Sequence, residues 1–260
     1  MTIELDHLSY SSISAYMTCG KAWKYKYVDK IPTKLSESLV IGSCVHDAVE
    51  DIVSRKSLGM DMPEDTAVFA SQIVSKRFEA DKGISDALEY ETVRNEVLRI
   101  IEAPLILSGI DLIKAKLDND GQPIIERKVE LQVPDVDVPV IGYIDIILSD
   151  GTPADFKTAT RSWTQEKAQT ELQPVFYLGA MNQCGMEMNW RFKHIVMVRN
   201  KSPKFQMFEH EHKPIEVFRL FEQIQTVWKS INQGVFLPAA PGCWKCSPKA
   251  CDFWDICQNS

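Results

Sequence analysis

The chain has 260 residues, with 29 Lys plus Arg against 36 Asp plus Glu, a formal net charge of −7, 45% hydrophobic and 25% charged residues. This is too apolar for a disordered chain and too varied for a fibrous one, and it suffices for one sizeable core with small appendages. No apolar run approaches the roughly 20 residues of a membrane span, and the opening MTIELDHLSYSS has no basic stretch leading into an apolar one, so the expectation is an intracellular protein with no membrane or secretory segment.

In chain order, residues 12–29 read as a helix with Ser12 or Ser14 as N-cap. Residues 38–57 read as a second helix on Val40, Ile41, Val45, Ala48, Val49 and Ile52. Residues 63–82 and 85–117 are mostly helical, with breaks near Gly83 and Pro104. The pattern then turns to Val- and Ile-rich strands over 123–133 and 138–149, a turn at Ser149-Asp150-Gly151, and a short strand from Ala154 to Thr158. Helix returns over 164–184, two strands follow at Trp190 to Val198 and Phe205 to His210, and a last helix covers 214–233 before a Cys-rich tail from Pro238. This order predicts a mixed α/β core with an N-terminal helical lobe.

The acidic balance argues only weakly against nucleic acid, because binding needs one local basic stripe rather than a basic whole. Lys21, Lys24, Lys26, Lys30 and Lys34, interleaved with Trp23, Tyr25 and Tyr27, supply such a stripe, although a charge run taken alone reads as a solvated helix face.

The segment Gly142-Tyr143-Ile144-Asp145-Ile146-Ile147, followed by Asp155-Phe156-Lys157-Thr158, is the richest in chemistry. Asp145 interrupts an apolar strand, and Asp155 and Lys157, two apart, project to one face of the next. Two acids on adjoining strands can share a hard divalent cation. A lysine beside them can orient a water or stabilise charge on a phosphate. The bland alternative makes Asp150 and Asp155 turn residues and Lys157 a surface charge. Glu126 and Glu130 stand ahead of the Asp145 strand as second-tier acids, read first as exposed strand residues.

These two stretches together resemble the PD-(D/E)XK nuclease superfamily, and its RecB-like exonuclease branch in particular. Ile41-Gly42-Ser43-Cys44-Val45-His46 resembles that branch's G-x-x-x-H helix, and Gln173-Pro174-Val175-Phe176-Tyr177 its Q-x-x-x-Y motif. Ser12-x-Ser14 through Tyr16, Cys19, Trp23 and Tyr27 resembles the branch's opening helix with its isolated cysteine. The motifs run from about residue 10 to residue 257, and residues 58–120 carry none.

The resemblance implies a restriction-endonuclease-like mixed central sheet flanked by helices within one domain over 1–260. In it a helical part (about 1–120) precedes a catalytic sheet core (about 121–235) and a cluster-binding tail (238–260) joined to Cys19. It implies that His46, Asp145, Asp155 and the main-chain carbonyl of Phe156 bind magnesium or manganese. Lys157 then positions or activates the water, and Gln173 and Tyr177, one helical turn apart, place the substrate strand.

Seven cysteines, an odd number, with four between Cys243 and Cys257, fit metal ligation better than a disulfide framework. The tail spacings are x2, x4 and x5, and soft thiolates select zinc or an iron–sulfur cluster. The resemblance implies a four-iron four-sulfur cluster on one N-terminal and three C-terminal cysteines, with zinc as the alternative. Cys19, Cys251 and Cys257 fit that pattern; Cys246 is the nearer choice for the remaining ligand and Cys243 the other. Cys44 and Cys184 sit in apolar helical patterns and are expected to be buried thiols.

The expected function is a metal-dependent DNA exonuclease acting on single strands or ends. The expected setting is the cytoplasm of a bacterium or a phage-infected host, with a helicase, recombinase or CRISPR-adaptation partner. Two rivals stand beside it. One is a non-catalytic DNA-binding or assembly subunit, against which the joint presence of the site residues argues. The other is a zinc-stapled protein of unrelated function, which the colour of the anaerobically purified protein separates from an iron protein.

Overall fold

The computed structural model describes residues 5–33 and 35–259. Lys34 of the basic stripe and the first four residues of the N-terminus lie outside the described residues. A mixed sheet forms the centre. Its strands are β1 (Leu8–Ser9), β2 (Ile125–Leu131), β3 (Val140–Ile147), β4 (Pro153–Ala159), β5 (Arg191–Val198) and β6 (Lys204–Glu211). They run in the order β1-β3-β4-β5-β6, with β2 on the other edge of β3. The β1–β3 and β4–β5 pairs are parallel, and the β2–β3, β3–β4 and β5–β6 pairs antiparallel.

Helices cover both faces. On one side lie α3 (Glu37–Ser57), α4 (Thr66–Ala80), α6 (Tyr90–Ile101) and α7 (Pro104–Ile110), with the short α5 (Lys82–Ala87) between α4 and α6. Their buried Val45, Val49, Val74, Val97, Ile100 and Ile106 pack with Ile146, Phe156, Ile195 and Met197 of the sheet. On the other side lie α1 (Tyr10–Thr18), α2 (Gly20–Tyr27), α9 (Gln173–Gln183) and α10 (Pro214–Asn232), whose Trp23, Phe176, Leu178, Leu220 and Ile224 pack with Leu131, Val140, Ile144 and Phe192. A short α8 (Gln165–Thr170) precedes α9, and α11 (Trp254–Gln258) ends the tail. Phe192 and Ile195 are an odd number of residues apart on β5, so period-2 alternation sends one to each core.

Several expected elements differ in detail. The single helix over 12–29 is two helices, broken at Cys19, whose backbone is extended (φ −162, ψ 102). Gly20 lies against the Leu237 backbone so closely that a Cβ there would stand 3.0 Å from its nitrogen, and this contact steers the chain away from a straight helix. The N-cap of α1 is Ser9, which accepts from Ser12 N at 3.0 Å, because Ser12 is buried and its hydroxyl accepts from Trp23 Nε1. The helix expected to run to 117 ends at Ile110; Ala115 instead bridges Leu148, so this stretch serves the sheet edge. The 164–184 helix is interrupted before Gln173, where Pro174 occupies the first turn of α9. Cys184 is exposed rather than buried, because it caps the C-terminus of α9 and points past the apolar face. Cys44 is buried as expected. The two-residue β1 and five-residue α11 are too short to leave a periodic signal.

A polar stripe crosses the buried α9–α10 side of β5 and β6. His194 Nδ1 meets His210 Nε2 at 3.0 Å, His210 Nδ1 meets His212 Nε2 at 2.8 Å, and His212 Nδ1 meets Glu216 Oε2 at 2.8 Å. Burial, reinforced by the neighbouring imidazoles, depresses His194 to about 3 and His210 to about 4, from an ordinary 6.5. Both therefore stay neutral in the fold while the unfolded chain takes up protons below pH 6.5. The stability they contribute is complete above that pH and is lost as the pH falls toward their folded values. The loss between pH 7 and pH 4.5 is expected to be on the order of a few kcal/mol. Urea midpoints measured across that range are expected to fall more steeply for the wild-type chain than for His194→Gln; equal slopes would remove the histidines as the cause.

Candidate active site

β3 carries β2 along one edge from Val140 to Ile146. On its other edge β1 pairs only at Val140 and Ile141, and β4 only at Ile146 and Ile147. Between those contacts the edge opens as a fork over residues 142–145. Asp145 spans it: Oδ2 accepts the backbone N–H of Phe156 on β4 at 2.7 Å, a side chain replacing the next rung of the ladder. The strands also reverse at this level. Ile144 and Ile146 belong to opposite cores though two residues apart, and so do Ile125 and Val129 on β2. Glu126, opposite Asp145 in register, takes a left-handed φ of 50, which costs a non-glycine residue about 1–3 kcal/mol. Gly142 opens the fork because any side chain would collide with the Phe176 ring: a Cβ there would stand 2.4 Å from it.

Asp155 and Lys157 project from β4 toward the α9 side, opposite to Phe156. Lys157 Nζ donates to Asp155 Oδ1 at 2.8 Å and to Gln173 Oε1 at 2.9 Å. It also stands 2.6 Å from Asp155 Oδ2, off the hydrogen-bond direction, so that this buried oxygen has an ionic neighbour but no hydrogen bond. Gln173 Nε2 donates to Tyr177 Oη at 2.9 Å, and Tyr177 Oη donates to Tyr143 O at 2.6 Å on the β3 side of the fork. The Gln–Tyr pair thus ties the lysine to β3. Tyr177 is buried and Gln173 half-buried. Burial, strengthened by Asp155 and Asp145, pushes the Tyr177 hydroxyl well above its ordinary value, so it remains a donor.

From the other side α3 presents His46. Its Nε2 lies 2.8 Å from Asp145 Oδ2 and its ring meets Phe156 edge-on. Burial alone would lower its pKa, but Asp145, Glu50 and Asp155 outweigh that and raise it to about 9. Burial likewise raises the Asp155 carboxyl, with Lys157 pulling down and Asp145 pushing up. Burial would lower the Lys157 ammonium, yet Asp155 and Asp145 hold it above its ordinary value, so it stays charged.

Sequence reasoning missed Glu50. It lies one helical turn beyond His46, with Oε1 3.1 Å from His46 Nδ1, and the i, i+4 spacing from a candidate ligand was the signal available. Ligand atoms of His46, Glu50 and Glu126 lie within 4.8 Å of one another. Glu126, second-tier in the sequence, therefore reaches the site despite its exposure, whereas Glu130 pairs with Lys128 at 2.7 Å away from it. A cleft of about 620 Å³ opens here, lined by His46, Glu50, Glu126, Phe156, Lys157 and Arg77 among others. Arg77, held by Asp47 at 2.5 Å, comes from the motif-free stretch 58–120. The donors around Asp145 are oxygen-rich, and Asp155 Oδ2 is buried without a hydrogen bond. Such a set suits a hard divalent cation, which takes carboxylate and carbonyl oxygens.

The chain termini meet elsewhere. Lys21 N donates to Leu237 O at 3.1 Å, and Tyr16 Oη donates to Val235 O. Beside this clip a cavity of about 600 Å³ is lined by Cys19, Cys246, Cys251 and Cys257; Cys243 is not among its lining residues. Burial raises the Cys251 thiol; a Phe253 hydrogen bond opposes this, and Cys19, Cys246 and Cys257 add to the rise. Four soft donors facing one space, none in a disulfide, suit a thiolate-bound metal centre. Among the described residues, four lysines line the same cavity: Lys21, Lys26, Lys245 and Lys249.

No curated protein matches the chain. Among solved structures, an exonuclease candidate from Eubacterium rectale superposes with a TM-score of 0.57 at 11% identity, over 94% of this chain and 87% of that one, a likeness of fold. SSO0001 superposes with a TM-score of 0.37 at 13% identity, over 83% of this chain and 94% of that one. The sequence model of the PD-(D/E)XK nuclease superfamily matches residues 7–258, from the strand before α1 to the last turn of α11, and the chain belongs to that superfamily.

Proposed function

We propose that the protein is a divalent-metal-dependent deoxyribonuclease of the RecB-like branch, an exonuclease acting on single-stranded DNA or DNA ends in recombination, replication or repair. The carrying observation is the fork. There His46 and Asp145 meet on one side, and Lys157 is held against Asp155 and Gln173 on the other. Asp145, Asp155, His46 and the Phe156 carbonyl are the proposed ligands of magnesium or manganese, which when bound lowers the pKa of water and neutralises phosphate charge. Lys157, kept protonated by Asp155, orients the attacking water and donates to the charge that builds on the phosphate. Gln173 aims the lysine and offers the substrate strand a polar edge, and Tyr177 braces Gln173 from the core.

The cysteine cavity supports a four-iron four-sulfur cluster on Cys19, Cys246, Cys251 and Cys257 as a structural staple of the two termini. Supplied whole by such a cluster, the cross-link asks nothing of the catalytic residues. No helix of the described residues is long and apolar enough to cross a membrane. DNA is the proposed substrate, and a helicase, recombinase or CRISPR-adaptation protein the proposed partner.

End-labelled DNA digested with manganese tests the assignment. Wild-type protein is expected to shorten the label progressively, and Asp145→Asn to lose about 10²–10³-fold in rate. Intact single- and double-stranded ends after prolonged incubation of the manganese-loaded wild type would instead favour a DNA-binding subunit.

A further inference from the structure

His46 has two ring nitrogens and the structure occupies both. Nε2 faces Asp145 at 2.8 Å, and Nδ1 faces Glu50 Oε1 at 3.1 Å. An imidazole ligates through the lone pair of one nitrogen, and the partner of the other decides which nitrogen carries the proton. If His46 is to serve a cation on the Asp145 side, Nε2 must be bare and the proton must sit on Nδ1. The acceptor that waits on that side is Glu50.

A plain surface ion pair along α3 does not account for Glu50. Such i, i+4 pairs lie between exposed side chains and contribute little. The Glu50 side chain is only 14% exposed. Its Oε1 is fully buried and makes no hydrogen bond within the usual angular limits, although His46 Nδ1 is in ionic contact. A buried carboxylate oxygen left so incompletely served is costly, a cost a merely helix-stabilising residue would avoid by turning to solvent. Glu126, held beside it by a left-handed backbone, adds negative charge to the same spot. Glu50 and Glu126 thus cluster on the Nδ1 side of the ring, with Glu50 the acid that reaches Nδ1.

We infer that Glu50 is a positioning residue: its carboxylate holds the His46 imidazole with the proton on Nδ1, so that the Nε2 lone pair is presented to the cation side of the fork. This rests on the nuclease assignment and goes beyond it, because it gives a role to a residue outside the ligand set. In this role Glu50 acts through His46 and not as a ligand of its own.

Manganese binding to the full chain, followed by electron paramagnetic resonance, provides the test without any substrate. Glu50→Ala is expected to weaken the wild-type affinity by about 10–100-fold, as loss of a partner behind a metal-bound histidine does, with the number of bound ions unchanged. Glu50→Gln is expected to recover most of that affinity, because its amide oxygen accepts the same N–H. In ¹⁵N-histidine spectra of the magnesium-loaded protein, His46 is expected to carry its proton on Nδ1 in the wild type and Glu50→Gln, and to lose that preference in Glu50→Ala. Should the alanine variant not fold, Glu50→Met keeps the stem, removes the acceptor and carries the same comparison. Wild-type affinity and tautomer in both acceptor-free variants would overturn the inference alone. So would loss of one bound ion per chain, which would make Glu50 and Glu126 ligands of a second cation. A wild-type chain that binds no manganese would remove the nuclease assignment and this role together.

Discussion

Lys157→Ala is expected to reduce DNA cleavage by about 10²–10³-fold while leaving the affinity for uncut DNA within a few-fold of wild type. The ammonium contacts Asp155 and Gln173 within the protein, and in the proposed mechanism its remaining donor capacity meets charge that develops only as the phosphodiester is attacked. An interaction realised in the transition state and not in the ground state appears in kcat rather than in binding. The substitution has a second consequence. Asp155 is buried and paired with this lysine, so removing the cation leaves a carboxylate without its counter-charge. That raises its pKa further and lowers stability. The comparison is therefore made by single-turnover cleavage and DNA-binding isotherms at a temperature where circular dichroism shows both proteins folded. Wild-type cleavage by a folded Lys157→Ala would exclude the lysine from the chemistry, and a matching loss of DNA affinity would make it a binding residue.

If the proposed iron–sulfur staple is present, the anaerobically purified protein is expected to be brown; Cys19→Ala, Cys246→Ala, Cys251→Ala and Cys257→Ala are then each expected to bleach it and to lower its melting temperature, while Cys243→Ala keeps both. The physical reason is loop closure. Cys19 and the tail cysteines lie at opposite ends of the sequence, and a link between them restricts the unfolded chain by an amount on the order of a few kcal/mol. Part of the clip survives without the cluster, because α1 stays joined to Val235 by the Tyr16 hydroxyl and α2 to Leu237 by a backbone hydrogen bond. The variants should thus fold at low temperature and fail on heating. Activity at low temperature is expected to persist, since the fork draws none of its groups from this cavity. Absorption spectra, iron and zinc analysis and thermal melts check each point. A colourless wild type with stoichiometric zinc would replace iron by zinc and leave the staple in place. Bleaching by Cys243→Ala with colour retained in Cys246→Ala would reverse the ligand choice.

Much of this molecule was legible in its sequence because the signals are local. Strands at Ile125–Leu131, Val140–Ile147 and Arg191–Val198 follow from runs of β-branched residues, and α3 and α10 follow from apolar spacing on one face. The chemistry-bearing residues Asp145, Asp155, Lys157, His46, Gln173 and Tyr177 could be named because each sits in a short motif whose order along the chain is informative. Tertiary structure alone decided how they meet. Asp145 works as the bridge of a fork only because β1 and β4 share one edge of β3 and leave its middle unpaired, a fact of sheet order that no local pattern carries. Glu126 is the exposed strand acid its sequence suggested, and only the face reversal of β2 and β3 brings it toward α3. Glu50 carried only an i, i+4 spacing and needed its burial against His46 to stand out. Cys19 broke a helix that periodicity would have continued, because a remote segment at Leu237 presses on Gly20. Likewise only the packed tail shows that Cys246 lines the cavity beside the N-terminal helices and that Cys243, joined to it across one tight turn, does not. Local propensity and spacing follow the chain, whereas these contacts join segments far apart along it, and only the packed fold brings them together.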